Sequence, residues 1–223
     1  MICTAAGWSW AILLVTLFVS ANLLSRYHRA TRATRIADVV EKSGPRDAWQ
    51  VVVNGGVFAA AAIASLLRPS PLWLVVAAGA IAASTADTWA TEIGTLVAHP
   101  PRLITTGKSV PAGTSGGVTW VGSLAGLAGA ILIGVVALLV GWGAAAAGAA
   151  VAGGVAGSLV DSIAGATFQR RRWCERCGKS TERLVHSCGT TTHPHGGIGW
   201  VDNDVVNAFS SLTGAVVGLM WPW

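Results

Sequence analysis

Residues 72–98 run LWLVVAAGAIAASTADTWATEIGTLVA. At ~1.5 Å per residue this stretch is long enough to cross a hydrocarbon core ~30 Å thick, and it shows no period-two alternation. In lipid every backbone polar group must be satisfied within its own element, so the run predicts a transmembrane helix. Its second half is not apolar. Ser84, Asp87, Thr88, Thr91, Glu92 and Thr95 fall within an arc of roughly 140° on a helix, and Trp89 and Ile93 point away from it. The segment therefore both spans the membrane and carries a polar stripe.

Working outward, five more segments have the same character: roughly 5–25, 48–67, 117–141, 144–168 and 204–221. Hydrophobic residues make up 52% of the 223-residue chain and charged residues 11%, against roughly 25% charged in a soluble domain. A soluble fold of this size has no way to hide that apolar excess. The predicted fold class is all-α: one integral membrane domain over 1–223, a bundle of about six transmembrane helices. The fifth segment, rich in Ala and Gly, suits a tightly packed central helix because small residues let helices approach closely. No basic residue precedes the first segment and a basic cluster follows it, so it is expected to be a retained helix rather than a cleaved signal.

Six spans place the loops 26–47, 99–116 and 169–203 on one side. Fourteen of the 15 Lys and Arg residues fall in them, and only Arg68 lies opposite. Basic residues near membrane ends stay in the cytoplasm, so both termini are expected outside it. This asymmetry and attraction to anionic lipid headgroups account for a pI of about 9.5 without a nucleic-acid partner. The Arg26, Arg29, Arg32, Arg35 ladder is expected to serve topology and lipid contact. The 11 Trp residues, with Trp221 and Trp223 at the outer end, fit interfacial anchoring.

A carboxylate at membrane depth costs ~2.5–3.5 kcal/mol and so marks a site more often than a packing accident. Asp87, Glu92 and Asp161 are such residues. In the fifth segment Ser158, Asp161, Ser162, Gly165 and Gln169 share an arc of roughly 100°. The sixth begins with Asn203, Asp204, Asn207, Ser210 and Ser211 at i, i+3, i+4 spacing. For the hydroxyls, hydrogen-bonded glue between helices is an equal alternative. The chain also matches itself. NGGV at 54–57 resembles SGGV at 115–118, each placed to open a helix leaving the cytoplasm. Ser84-x-x-Asp87-Thr88 resembles Ser158-x-x-Asp161-Ser162, each on the returning helix. A duplicated hairpin, segments two–three and four–five, would bring Asp87 and Asp161 toward one axis.

Facing carboxylates with Asn and hydroxyl oxygens make a hard-oxygen site suited to Mg²⁺ bridged to phosphates. Beside it, Lys108-Ser-Val-Pro-Ala-Gly113-Thr114-Ser115-Gly116-Gly117 leads into the fourth segment. Glycines at a helix start let backbone N–H groups close on an anion, and Lys108 adds a point charge. The spacing is not that of a Walker loop. The loop 169–203 holds Cys174-x2-Cys177-x8-His186-x-Cys188. A cytoplasmic loop is reducing, so disulfides are not expected. Four soft ligands are the count for a closed structural Zn²⁺ site, with His193 and His195 as alternative fourth ligands. The other option is that these side chains only pack the loop. Cys3 is expected to be a small buried hydrophobe.

ADTWATEIG at 86–94, PRLITTGKSVPAGTSGGV at 101–118, GSLVDSIAGATFQ at 157–169, the Cys/His loop and DNDVVNAFSS at 202–211 together resemble the phytyl-phosphate kinase-like family of polytopic membrane proteins. The resemblance runs from about residue 45 to 215. It implies transfer of phosphate from a nucleoside triphosphate, CTP foremost, to an isoprenyl monophosphate, giving the diphosphate. The positions it implies for the site are Asn54, Asp87, Glu92, Lys108, Thr114, Gly116, Gly117, Asp161, Asn203, Asp204 and Asn207. The family's usual Asn is replaced here by Ser115. A secondary transporter of a small ion or anion is the rival, since repeats and membrane acids also occur there. Depth separates the two: transporter acids sit near mid-bilayer, lipid-kinase acids at the cytoplasmic boundary.

Overall fold

The computed structural model describes residues 6–27, 29–40 and 48–222; Cys3 and Trp223 lie outside the described residues. Seven helices occur among the described residues: α1 (Trp8–Arg26), α2 (Arg29–Ile36), α3 (Ala48–Leu67), α4 (Leu72–Gly94), α5 (Trp120–Leu139), α6 (Gly143–Thr167) and α7 (Asn203–Met220). Five of them, α1 and α3–α6, are long and apolar enough to cross a membrane. The chain is a polytopic helical membrane protein. The sixth long helix, α7, falls short of that apolarity because Asn203, Asp204 and Asn207 occupy its first two turns. It packs against α4 and α6 in the middle of the bundle.

Small residues bring these helices together. A Cβ on Gly79 of α4 would collide with the Gly214 carbonyl of α7, and one on Gly218 with the Val75 carbonyl. On Gly153 of α6 it would lie 2.7 Å from both Gly214 O and Gly79 Cα. Three backbones therefore meet at one crossing, which only glycine permits. At the end remote from the basic loops the bundle is plugged by aromatics: Trp10 lies 4.8 Å from Trp142 and 5.3 Å from Phe58, centroid to centroid. Trp221 packs over Gly148 of α6 rather than standing free as an anchor. Among the described tryptophans, Trp8, Trp49, Trp120 and Trp200 are the exposed ones.

The other end is built differently from a set of plain loops. Residues 102–118 form a two-stranded ribbon, β1 (Arg102–Leu103) antiparallel to β2 (Gly117–Val118). Residues 171–196 form a three-stranded antiparallel sheet in the order β4 (Lys179–Thr181), β3 (Arg171–Cys174), β5 (His193–Gly196). This sheet grips the turn after α2. Thr181 Oγ1 donates to Val39 O at 3.2 Å, the Glu182 amide to the same oxygen at 2.8 Å, and Lys179 pairs with Asp38 at 3.1 Å. The Ser187 hydroxyl and then Lys179 hold the Asp38 carboxyl below the usual carboxylate range.

Two expectations need correcting. Helix α4 stops at Gly94, not 98, and Arg35 Nη1 donates to the carbonyls of Leu96 (2.9 Å) and Val97 (2.7 Å) beyond it. Helix α5 starts at Trp120, with Thr119 as its N-cap accepting from Gly122 N at 3.0 Å. The glycine-rich run is therefore a turn ahead of the helix, not its first turn. The matched tetrads differ locally for the same reason: Asn54–Val57 lies inside α3, whereas 115–118 precedes α5. The Ser-x-x-Asp pairs do correspond, each six or seven residues from the end of α4 or α6.

Candidate functional site

A cavity of ≈ 770 Å³ opens at the end of the bundle that carries the basic loops. Helix α4 supplies Asp87, Thr88, Thr91 and Glu92 to its wall, with Thr95 just past its end; α6 supplies Ser158, Asp161 and Ser162; α7 supplies Asn203, Asp204 and Asn207. Asn54 of α3 and the turn Gly113–Gly117 complete the set that the sequence singles out. Asp87 and Asp161, from α4 and α6, both line this cavity and interact with each other there. Asp161 Oδ1 is nonetheless buried without a hydrogen-bond partner among the described residues. With both ionised, two carboxylates so placed would repel each other, and a divalent cation between them relieves that conflict. An all-oxygen donor set with one orphaned oxygen fits Mg²⁺.

Glu92 is held by side chains from other elements. The Ser25 hydroxyl donates to its Oε1 at 2.7 Å, and Arg32 Nε lies 3.2 Å from its Oε2. Arg32 also donates to Thr95 Oγ1 at 3.2 Å. The arginine ladder is thus only partly a matter of topology: Arg26 and Arg32 line the cavity, whereas Arg35 ties down the end of α4. Lys108 requires the opposite correction. It sits exposed on the turn of the ribbon, its carbonyl accepting from Leu103 N at 2.9 Å, and it is absent from the cavity wall. Ser84 and Ser211 are glue: their hydroxyls meet at 2.6 Å, and Ser84 donates to Asn54 O at 2.8 Å, tying α3, α4 and α7 together.

The glycine turn is shaped by contact with α6. Gly116 has φ 76° and a Cβ there would lie 2.5 Å from Ala166 Cβ, so both conformation and space demand glycine. Ser115 donates to Gln169 Oε1 at 2.5 Å, and Gln169 Nε2 donates to Glu182 Oε1 at 2.9 Å. Gln169 is 2% exposed, and this chain links the turn to the Cys/His loop. Sequence reasoning missed Gln50, Arg170, Glu182 and Asp202 as wall residues. Asp202 has a local signal, since a side-chain oxygen capping α7 is legible as an N-cap, and its Oδ1 accepts from the amides of Asp204 and Val205, both at 3.1 Å. The others have none.

Cys174, Cys177, His186 and Cys188 gather so that one potential ligand atom from each lies within 4.8 Å of the others. Cys174 Sγ is 3.6 Å from Cys188 Sγ, and His186 Nδ1 is 3.3 Å from the same sulfur. A tetrahedral zinc with Zn–S bonds near 2.3 Å requires sulfur–sulfur edges of about 3.8 Å, whereas a disulfide requires about 2.0 Å. The three cysteines are free thiols. Thr190, with help from His186, pulls the Cys188 thiol down to about 5, and the hydrogen bond with Cys188 pushes Cys177 up to about 11. The donor set fits Zn²⁺. His193 and His195 lie on exposed β5, outside the cluster, and His195 packs on Trp173 at 4.9 Å.

A helical bundle that closes on a cavity of convergent acids and arginines defines a polytopic membrane protein with a polar site at one end. A family profile described as "Integral membrane protein DUF92" matches residues 1–215, and the chain belongs to that family. It is 32% identical to Protein PGR of Arabidopsis thaliana, over 93% of this chain and 79% of that one. It is 30% identical to an uncharacterized membrane protein of Methanocaldococcus jannaschii, over 96% and 76%. A third relative, an uncharacterized membrane protein of Synechocystis, is 26% identical over 98% and 76%. No solved structure matches the chain.

Proposed function

We propose that this protein is a membrane-embedded kinase that moves a phosphoryl group from a nucleoside triphosphate to an isoprenyl monophosphate. The observation that carries the proposal is the meeting of Asp87 and Asp161, from two different helices, in a cavity that also contains Glu92, Arg26 and Arg32. CTP as donor is what the family resemblance implies. In the reaction an oxygen of the acceptor phosphate bonds to the γ-phosphorus and the bond to the β-phosphate breaks, leaving a prenyl diphosphate and a nucleoside diphosphate. Such transfer mostly needs positioning and charge neutralisation. Asp87, Asp161 and Glu92 would hold Mg²⁺, which supplies neutralisation of the triphosphate. Arg32 and Arg26 take the part first given to Lys108, opposing phosphate charge from the cavity wall. The Gly113–Gly117 turn, whose Thr114 and Gly117 amides are spent on the Pro111 and Thr114 carbonyls, would approach the transferred group with its remaining amides, and Asn54, Asn203, Asp204 and Asn207 form the remaining polar wall. An acceptor that is already an ionised monoester needs no strong general base.

Depth favours this reading over a transporter. Asp87 lies seven residues before the end of α4 and Asp161 six before the end of α6, or about 10 Å from the helix ends at 1.5 Å per residue. A mid-bilayer site would lie about 15 Å in. The test is purified protein in detergent with Mg²⁺, each nucleoside triphosphate in turn, and a panel of prenyl monophosphates. Formation of prenyl diphosphate is expected, fastest with CTP; no turnover with any pair removes the proposal.

The same reading puts the acid-lined end in the cytoplasm and both termini outside, because basic residues are retained inside. A Pro222→Cys variant in intact cells is expected to react with an impermeant maleimide. Labelling only after lysis would reverse the orientation.

A further inference from the structure

The cavity meets its surroundings through two unlike walls. Between α1 and α3 the lining is polar: Asn22, Ser25, Arg26, Gln50 and Asn54. Between α5 and α6 it is Leu124, Leu127, Val155 and Leu159. Those four are also 63%, 38%, 36% and 50% exposed on the outer face of the bundle. Side chains that line a cavity and at the same time face outward stand at an opening. On a membrane span, outward is lipid.

The glycine contacts explain why the opening lies there. Farther from the cavity α5 and α6 hold each other directly: a Cβ on Gly154 would lie 2.5 Å from Ala130 Cβ, and one on Gly134 3.0 Å from Ala147 O. Over the cavity half the close interhelical glycine contacts of both helices go to α4, and those of α6 also to α7. Gly122 and Gly126 of α5 press on the Ala90 and Ala86 carbonyls of α4, at 2.9 and 3.0 Å. Gly157 of α6 presses on Ala83 of α4 and on the Ser210 carbonyl of α7. Among the described residues no glycine of either helix makes so close an α5–α6 approach over the cavity half, and there Leu124, Leu127, Val155 and Leu159 lie between the cavity and the outer face.

We infer that this slot between α5 and α6 is the lateral entry and tail-binding site for the hydrocarbon chain of a lipid monophosphate. The inference rests on the phosphotransferase reading for what sits at the head of that lipid. A hydrocarbon crossing the α1–α3 wall would strip water from amides and a guanidinium with nothing to replace it. In the α5–α6 slot it exchanges one apolar contact for another. Ser158 and Ser162 share the Val155–Leu159 face of α6 and line the same cavity as Asp161, so a chain lying in the slot has its phosphate end in the chamber that holds the acids. The slot residues accordingly determine which tails are accepted.

The experiment uses the full chain in nanodiscs and a phytyl-length alkyl phosphate with a diazirine in mid-tail. After photolysis, adducts are expected on 124–127 and 155–159, competed away by the unlabelled alkyl phosphate. Leu159→Trp fills the slot and, by removing contact with about two methylenes, should lower competable labelling about tenfold. Leu124→Trp narrows the opposite wall and provides the same readout should the first variant fold poorly. Competable adducts on 22–26 and 50–54, labelling indifferent to both tryptophans, or only uncompeted labelling spread over the lipid-facing surface each overturn the inference. Labelling needs no nucleotide. A protein labelled in the slot that transfers no phosphate keeps the slot and loses the kinase; one that transfers phosphate with adducts elsewhere does the reverse.

Discussion

Asp87→Asn is expected to lower Mg²⁺-dependent phosphoryl transfer by about a thousandfold or more while the protein stays folded. The substitution keeps the shape of the side chain and removes its charge. Asp87 and Asp161 share one site, so neither alone offers a cation the paired field that both provide. Asp161→Asn should therefore be as damaging, and the double variant little worse than either single one, because residues acting as a unit are not additive. Removing one acid also removes its repulsion of the other, so thermal stability without metal should hold or rise, while stabilisation by added Mg²⁺ should vanish in both variants. The pair of readouts separates catalysis from folding. Near-normal turnover in either single variant, or Mg²⁺ stabilisation surviving in both, would remove the two aspartates from the site.

The bundle was legible because hydrophobic length is a one-dimensional signal: the predicted 48–67 and 144–168 agree with α3 and α6 to within a residue at each end. Ends failed where a distant residue decides them. Nothing between 94 and 98 announces that Arg35 lies beside the Leu96 and Val97 carbonyls. Helical periodicity marks a face but not a depth, so the stripe on α4 mixed a wall residue, Asp87, with a packing residue, Ser84. Arg32 illustrates a third limit. Its partner Glu92 is sixty residues away, and a basic ladder beside a membrane looks the same whether or not one rung turns inward. Lys108 fails for the converse reason: proximity in sequence to the glycine turn does not aim a side chain that the ribbon turns outward. The cysteine loop announced its four ligands by spacing but not the sheet around them, since strands of three or four residues carry too little pattern to register.

Zinc is expected in the Cys174, Cys177, His186, Cys188 cluster, and its removal is expected to loosen the roof of the cavity without unfolding the spans. The loop that carries these residues grips 37–40 through several contacts. Ser187 donates to Asp38 Oδ1 at 2.5 Å, Arg183 Nη1 to the carbonyls of Ala37 and Val40 at 3.3 and 3.4 Å, and Thr181 and Glu182 both reach Val39 O. Residues 36–40 in turn roof the site: Ile36 and Val40 pack so close to Gly113 that a Cβ there would lie 2.9 Å from Val40 Cγ2, and Arg32 on the same short helix pairs with Glu92. A metal bound by these four residues would thereby act on the cavity at one remove. Metal analysis should find about one zinc per chain, and Cys177→Ser should lower that content sharply. Each gripping hydrogen bond contributes about 1 kcal/mol, so losing two or three together should speed exchange of the Glu182 amide about a hundredfold. Amides of α4 and α6 near Asp87 and Asp161 should keep their protection, because the glycine crossings that hold those helices do not involve the loop. Activity should fall through a raised KM for the nucleotide more than through kcat, as expected when a wall loosens while the reacting groups stay in place. Metal-free protein with unchanged exchange at Glu182 would return the four residues to simple packing, and loss of protection throughout α4 would mean that the loop supports the whole bundle rather than its roof.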